Sequence, residues 1–138
     1  RGSNYAGELF VAYCFAPSEF ISIGSYTGNA NTNGPFVPTL NSLGVPLQPI
    51  FHLTKRSSAT GSWKIIDAGR SPYNQTNAIL TPDTTAVEGT AASQAADLLS
   101  GGFKWRGSDS DVNGSGTYTH LTIGTPIINV DGRIIAGR

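Results

Sequence analysis

Short apolar or aromatic stretches, each cut off by Gly, Pro, Asn or Ser, recur along the whole chain and leave little room for helix. That punctuation is the sequence form of a many-stranded β module. Phe20 to Tyr26, Ile50 to Lys55, Trp63 to Asp67, Phe103 to Arg106, Tyr118 to Ile123 and Ile127 to Val130 each read as a strand. Glu8 to Ala16 alternates large and small apolar residues on both faces, the pattern of a central strand covered on each side. Asp131-Gly132, between Ile127-Ile128 and Ile134-Ile135, is the strongest short hairpin signal. Ala86 to Leu99 has the propensity for a short helix through Ala91, Ala92, Ala95, Ala96, Leu98 and Leu99, interrupted at Gly89 and Thr90. Pro35 to Pro49 shows no strand pattern and is expected as an excursion on the surface or at a subunit contact. The expected fold is all-β, a β-sandwich or jelly-roll-like module with little helix over residues 1–125. Residues 126–138 are then a C-terminal hairpin or docking tail, whose Ile127, Ile128, Ile134 and Ile135 are expected to bury against a sheet edge or a neighbouring subunit.

A chain of 138 residues can bury roughly two thirds of its unfolded surface, so one domain stands without metal or disulfide staples. Charged residues make up only 13% of the sequence while Gly, Ser, Thr and Asn abound, which suits an extracellular or virion-shell surface better than a cytosolic enzyme. The 9 basic residues equal the 9 acidic ones, so nucleic acid is not an expected partner. No apolar run approaches the roughly 18–20 residues that cross a bilayer, and membrane insertion is not expected. Cys14, the sole cysteine, reads as a buried small hydrophobe between Tyr13 and Phe15. The absence of Met points to a fragment of a longer polypeptide. So does a weak echo of Arg1-Gly2-Ser3-Asn4 in Arg106-Gly107-Ser108-Asp109, unless Arg1-Gly2-Ser3 is a vector scar.

No constellation for catalysis assembles from the residue order, and the chain is expected to be neither an enzyme nor a cofactor binder. Asp109, Asp111 and Asn113, followed by Gly114, match the first half of a calcium loop, but His120 stands where the bidentate Glu belongs. They are a weak cation candidate against a plain polar turn. His52 and His120 lie outside any metal-ligand spacing, and Cys14 sits too deep in apolar sequence for a Cys-His nucleophile. Asp67, Asp83, Glu88 and Asp97 form no specific carboxylate pair. Asp67 with Arg70 instead reads as a structural corner, the carboxylate accepting backbone N–H groups and the guanidinium fork. Trp63, Tyr73 and Trp105 are candidate stacking platforms for a glycan.

Five signatures set the family resemblance: Tyr13-Cys14-Phe15-Ala16; Gly24-Ser25-Tyr26-Thr27-Gly28-Asn29; Lys55-Arg56 through Gly61-Ser62-Trp63; Asp67-Ala68-Gly69-Arg70-Ser71-Pro72-Tyr73-Asn74; and Leu98-Leu99-Ser100-Gly101-Gly102-Phe103-Lys104-Trp105-Arg106. In that order and spacing the chain, from Gly7 to Thr122, resembles a poorly characterised domain of tail-fibre-like structural proteins of tailed, often marine, bacteriophages. The resemblance implies a non-catalytic virion component, a tail fibre or tail-associated module, homo-oligomeric or bound to other virion proteins. Two other readings stand beside it: a lectin-like module for a bacterial surface glycan, and a capsid decoration (cement) protein. Exposed aromatics beside Asn and Asp at a loop end would favour the lectin, and an apolar patch along a flank would favour assembly. After Tyr118 the related domains are more apolar-aromatic than Thr119 to Pro126, so details do not transfer to this end.

Overall fold

Alternation, turn residues and one bulge shape the chain into strands, and the computed structural model describes residues 6, 7, 9 and 11–128 of it. Nine strands form: β1 (Ile21–Gly28), β2 (Phe36–Pro38), β3 (Leu47–Arg56), β4 (Lys64–Asp67), β5 (Ala78–Ile79), β6 (Gly89–Thr90), β7 (Ala96–Leu99), β8 (Gly102–Trp105) and β9 (Gly116–Pro126). All pairings are antiparallel. A four-stranded sheet in the order β1-β9-β3-β4 faces a three-stranded sheet in the order β2-β8-β7, with β5-β6 as a small third sheet. The fold is all-β, a sandwich.

The core lies between the two larger sheets. Phe103 and Trp105 of β8 are fully buried, and β8 and β7 register Ala96 opposite Trp105 and Leu98 opposite Phe103. A small residue facing a large one lets the layer close without a void. Facing them, Tyr26 of β1 stacks on Tyr118 of β9 at 5.0 Å between ring centres. The Trp105 Nε1–H donates to the Tyr26 hydroxyl at 2.8 Å, and that hydroxyl donates to the Val112 carbonyl at 2.7 Å. Burial keeps the Tyr26 phenol neutral, well above its usual pKa.

The four-stranded sheet turns its polar alternates inward. The buried rows are Ser22–Thr122–His52–Ile66 and Gly24–His120–Thr54–Lys64. A bulge between Pro49 and Phe51 permits this on β3, because one extra residue flips every later side chain to the other face. Leu47 and Pro49 therefore point inward before it, and His52 and Thr54 after it.

Several sequence expectations give way here. Residues 11–17 form no strand, and Cys14 is exposed. Only Tyr13 and Phe15 of this segment approach the outer sheet face, and both stay more than half exposed. Pro35 to Pro49 is no bare excursion: it holds β2, a bridge between Leu40 and Pro46, and the start of β3, with prolines confined to strand ends and the bulge. Ala86 to Leu99 forms no α-helix. It contains β6, one 3₁₀ turn at Ala92–Gln94 and β7, where Ala96 stands opposite Trp105. The proposed Asp131-Gly132 hairpin, with Ile134 and Ile135, lies outside the described residues.

Candidate docking face

With the polar alternates buried, branched aliphatics are left on the outer face of the same sheet. The registers place Ile23 beside Leu121, Leu121 beside Leu53 and Leu53 beside Ile65, one unbroken row across all four strands. A second row runs Ile21–Ile123–Phe51 and ends at Asp67. Among the described residues no second sheet covers these rows. Tyr13, Phe15, Trp63, Pro82 and Asp83 border them. Between them is an open groove of about 740 Å³ floored by Ile23, Leu53, Ile65 and Leu121. Ile23 keeps 42% of its surface exposed and Trp63 38%. Among the described residues that line the groove Asp83 is the one carboxylate, and Thr119 and His120 line it too, so polar groups are a minority beside a floor that can bury apolar surface.

The residues nominated from sequence fall elsewhere. Trp105 is wholly buried and engaged with Tyr26, so it is no surface platform for a glycan. Aromatic residues this large are core first, and its position opposite Ala96 fixes it there. Tyr73 is exposed but lies outside the groove lining, while Trp63 belongs to it.

The calcium candidate is not assembled either. Asp109 accepts the Asp111 backbone N–H at 2.8 Å, and Asp111 pairs with the Lys64 ammonium at 3.3 Å. Asn113, fully buried, turns its amide away from both. Its Nδ2 donates to the Asn31 and Gly107 carbonyls at 2.8 and 2.9 Å, and its Oδ1 accepts the Asn29 N–H at 3.0 Å. The turn spends its oxygens on backbone and Lys64, and no group of three metal-ligating side chains occurs among the described residues.

Asp67 and Arg70 meet at the end of β4. The Arg70 backbone N–H and Nε donate to the two Asp67 oxygens at 2.8 and 2.6 Å, and Nη1 reaches Glu88 at 2.8 Å. Burial pushes the Asp67 carboxyl up, but these hydrogen bonds and the nearby positive charge outweigh it and hold the group below its usual value. Arg70→Ala is expected to cost about 1–3 kcal/mol, since the hydrogen bonds are charge-assisted and only partly screened. A thermal melt measures it. An unchanged melting temperature together with lost binding to cells would instead make the corner a site. Ile127 is half-buried, its N–H donating to the Pro46 carbonyl, and Ile128 is exposed.

A family profile, that of a domain of unknown function, matches residues 1–125. The chain belongs to the DUF7483 family. No curated protein and no solved structure matches it. The DUF7483 match spans the whole described sandwich as far as Thr125 in β9, so the groove and both apolar rows are features of this domain. Among its described residues no helix is long and apolar enough to cross a membrane.

The sequence reading did not single out Ile23, Leu53, Ile65 and Leu121. Their alternation with Ser22, His52, Thr54, His120 and Thr122 was legible. What it could not give is the sign of the face, since an aliphatic stripe is ordinarily the buried one.

Proposed function

We propose that this domain is a non-catalytic structural module of a phage virion, a tail fibre or tail-associated part, which assembles by covering the outer face of its four-stranded sheet with another virion protein. The observation that carries the assembly reading is the row Ile23–Leu121–Leu53–Ile65, which no second sheet covers among the described residues. Each such side chain is worth roughly 1.5–3 kcal/mol when fully covered. An apolar flank of this kind favours assembly over glycan recognition, because a sugar needs hydrogen-bonding partners that an aliphatic floor lacks. The virion setting is supported by the signature resemblance and the charge-poor surface. The non-catalytic reading is supported by three of the four candidate carboxylates, since Arg70 holds Asp67 and Glu88 and Arg106 holds Asp97; Asp83, on the groove's rim, has no second carboxylate beside it in the groove lining.

Locating the chain in intact particles by electron microscopy tests the setting, and one substitution tests the face. Leu121→Asp places a carboxylate at the centre of the apolar row. Particle binding is expected to fall at least about tenfold, because the charge must be desolvated on docking, while far-ultraviolet circular dichroism stays native. Normal incorporation of Leu121→Asp would exclude this face. Glycan binding that disappears on Trp63→Ala but survives Leu121→Asp would establish the lectin reading instead.

A further inference from the structure

The sandwich protects its sheet edges unevenly. The outer edge of β4 is closed by Leu80, whose N–H and carbonyl both bond Ile65. The outer edge of β7 is closed by Thr76, bridged to Ala96, and by the Asn74 side chain, which bonds the N–H and carbonyl of Leu98. β2 is only 3 residues long and ends in Pro38. Among the described residues β1 has none of these protections. It is an 8-residue edge strand, Ile21-Ser22-Ile23-Gly24-Ser25-Tyr26-Thr27-Gly28, with no proline, no charge and no bulge against β9. Proteins ordinarily blunt such an edge, because its open N–H and carbonyl groups template another strand.

The register identifies which groups are open. The Gly124 N–H donates to the Phe20 carbonyl, so the even-numbered residues of β1 face β9 and the odd-numbered ones face away. Among the latter the Ile21 carbonyl is already taken by the Ser18 N–H. Ile23, Ser25 and Thr27 have no backbone partner among the described residues, and all three are exposed.

We propose that this edge is a self-association site, at which β1 of one copy pairs antiparallel with β1 of a second copy about a twofold axis through Ser25. The occupant and the register follow from the open groups. A twofold antiparallel pair needs a set that maps onto itself, and Ile23, Ser25 and Thr27 do so only with Ser25 opposite Ser25, Ile23 opposite Thr27 and Thr27 opposite Ile23. The next register toward the N-terminus would require the occupied Ile21 carbonyl. The strand carries no charge to repel its own copy, and the Ile–Thr neighbours suit cross-strand packing. Pairing makes one continuous sheet from two four-stranded ones. A twofold perpendicular to that sheet leaves both apolar faces on the same side, so the inference holds whether or not that face docks on another protein.

Sedimentation equilibrium of the full chain over a range of concentrations tests it. The native chain is expected to form a reversible dimer. Ser25→Pro removes an outward N–H that has no partner among the described residues, so it is expected to raise the dissociation constant at least about tenfold with little effect on the fold. Ser25→Lys, which sets like charges opposite each other on the axis, is expected to do the same. In a Cys14→Ser background, Ser25→Cys is expected to cross-link on mild oxidation, since paired Cα atoms lie about 5.5 Å apart. Thr27→Cys is not, because its copies stand roughly 13 Å apart. A native chain that stays monomeric, a dimer unaffected by both Ser25→Pro and Ser25→Lys, or cross-linking at Thr27 instead of Ser25 would overturn the proposal. A dimer lost in Leu121→Asp but kept in both Ser25 variants would overturn it while supporting assembly through the apolar face.

Discussion

Acidification from pH 7 to pH 4 is expected to remove several kcal/mol of stability, and most of that loss should trace to two histidines inside the sandwich. His52 is fully buried against Phe103, with 4.0 Å between ring centres, and His120 lies 5.7 Å from His52. Both Nδ1 atoms meet one hydroxyl, Thr122 Oγ1, at 2.9 and 3.2 Å. That hydroxyl has one proton, so it donates to one ring and accepts from the other. The arrangement fits His52 as the Nδ1–H tautomer, which leaves its buried, unpartnered Nε2 as a bare lone pair rather than an orphaned N–H. Two imidazolium rings would both have to donate to the same oxygen.

The sign follows from the direction of the shifts. Burial lowers the His120 pKa from 6.5 to about 4. Burial, and then the neighbouring His120, also hold that of His52 well below its usual value. The unfolded chain thus takes up protons near pH 6.5 that the folded chain refuses. Stability is complete above that pH and declines as pH falls toward the folded value. For His120 alone the loss is roughly 3 kcal/mol, against a typical total of about 5–15 kcal/mol, and His52 adds to it. Asp67, held below its usual value, contributes in the same direction only at lower pH, as its own carboxylate titrates. Denaturant melts at successive pH values measure the profile. The double variant His52→Gln, His120→Gln should flatten it between pH 7 and 5, and a native chain equally stable at both would sink the account.

Much of the fold was written in local patterns. β1, β3, β4, β8 and β9 fall on stretches whose alternation and flanking turns announce strands, because those signals act within a few residues. The segments that misled are those whose partner is distant. The Ala-rich run before Leu99 has helical propensity, yet only the neighbouring Trp105 makes small residues there valuable in a strand. Residues 11–17 are apolar but do not pair, and Tyr13 and Phe15 border the outer-face groove while staying more than half exposed. The docking face was the least legible part. His52, Thr54, His120 and Thr122 face inward, held there by the Thr122–histidine network, the stacked rings and the bulge at Pro49. None of these is a property of one strand alone.

The same distance problem applies to Asn113, and there it yields the second large effect. By sequence it is one oxygen of a half calcium loop, and on that basis Asn113→Asp should be neutral or strengthen cation binding. In the fold its amide hydrogens point at the carbonyls of Asn31 and Gly107 and its oxygen accepts the Asn29 N–H, tying the loop after β1 to the loop before β9. An aspartate keeps the acceptor but loses both hydrogens and sets a negative charge against two carbonyl oxygens at less than 3 Å. That position has no exposed surface, so water cannot offset the repulsion. Asn113→Asp is expected to cost about 3 kcal/mol or more, seen as a melting temperature lower by roughly 10 °C. Asn113→Ala should cost less, because it leaves unpaired groups but no buried charge. Added calcium should rescue neither. An aspartate variant that melts with the native chain, or that calcium stabilises, would restore the cation reading of this loop.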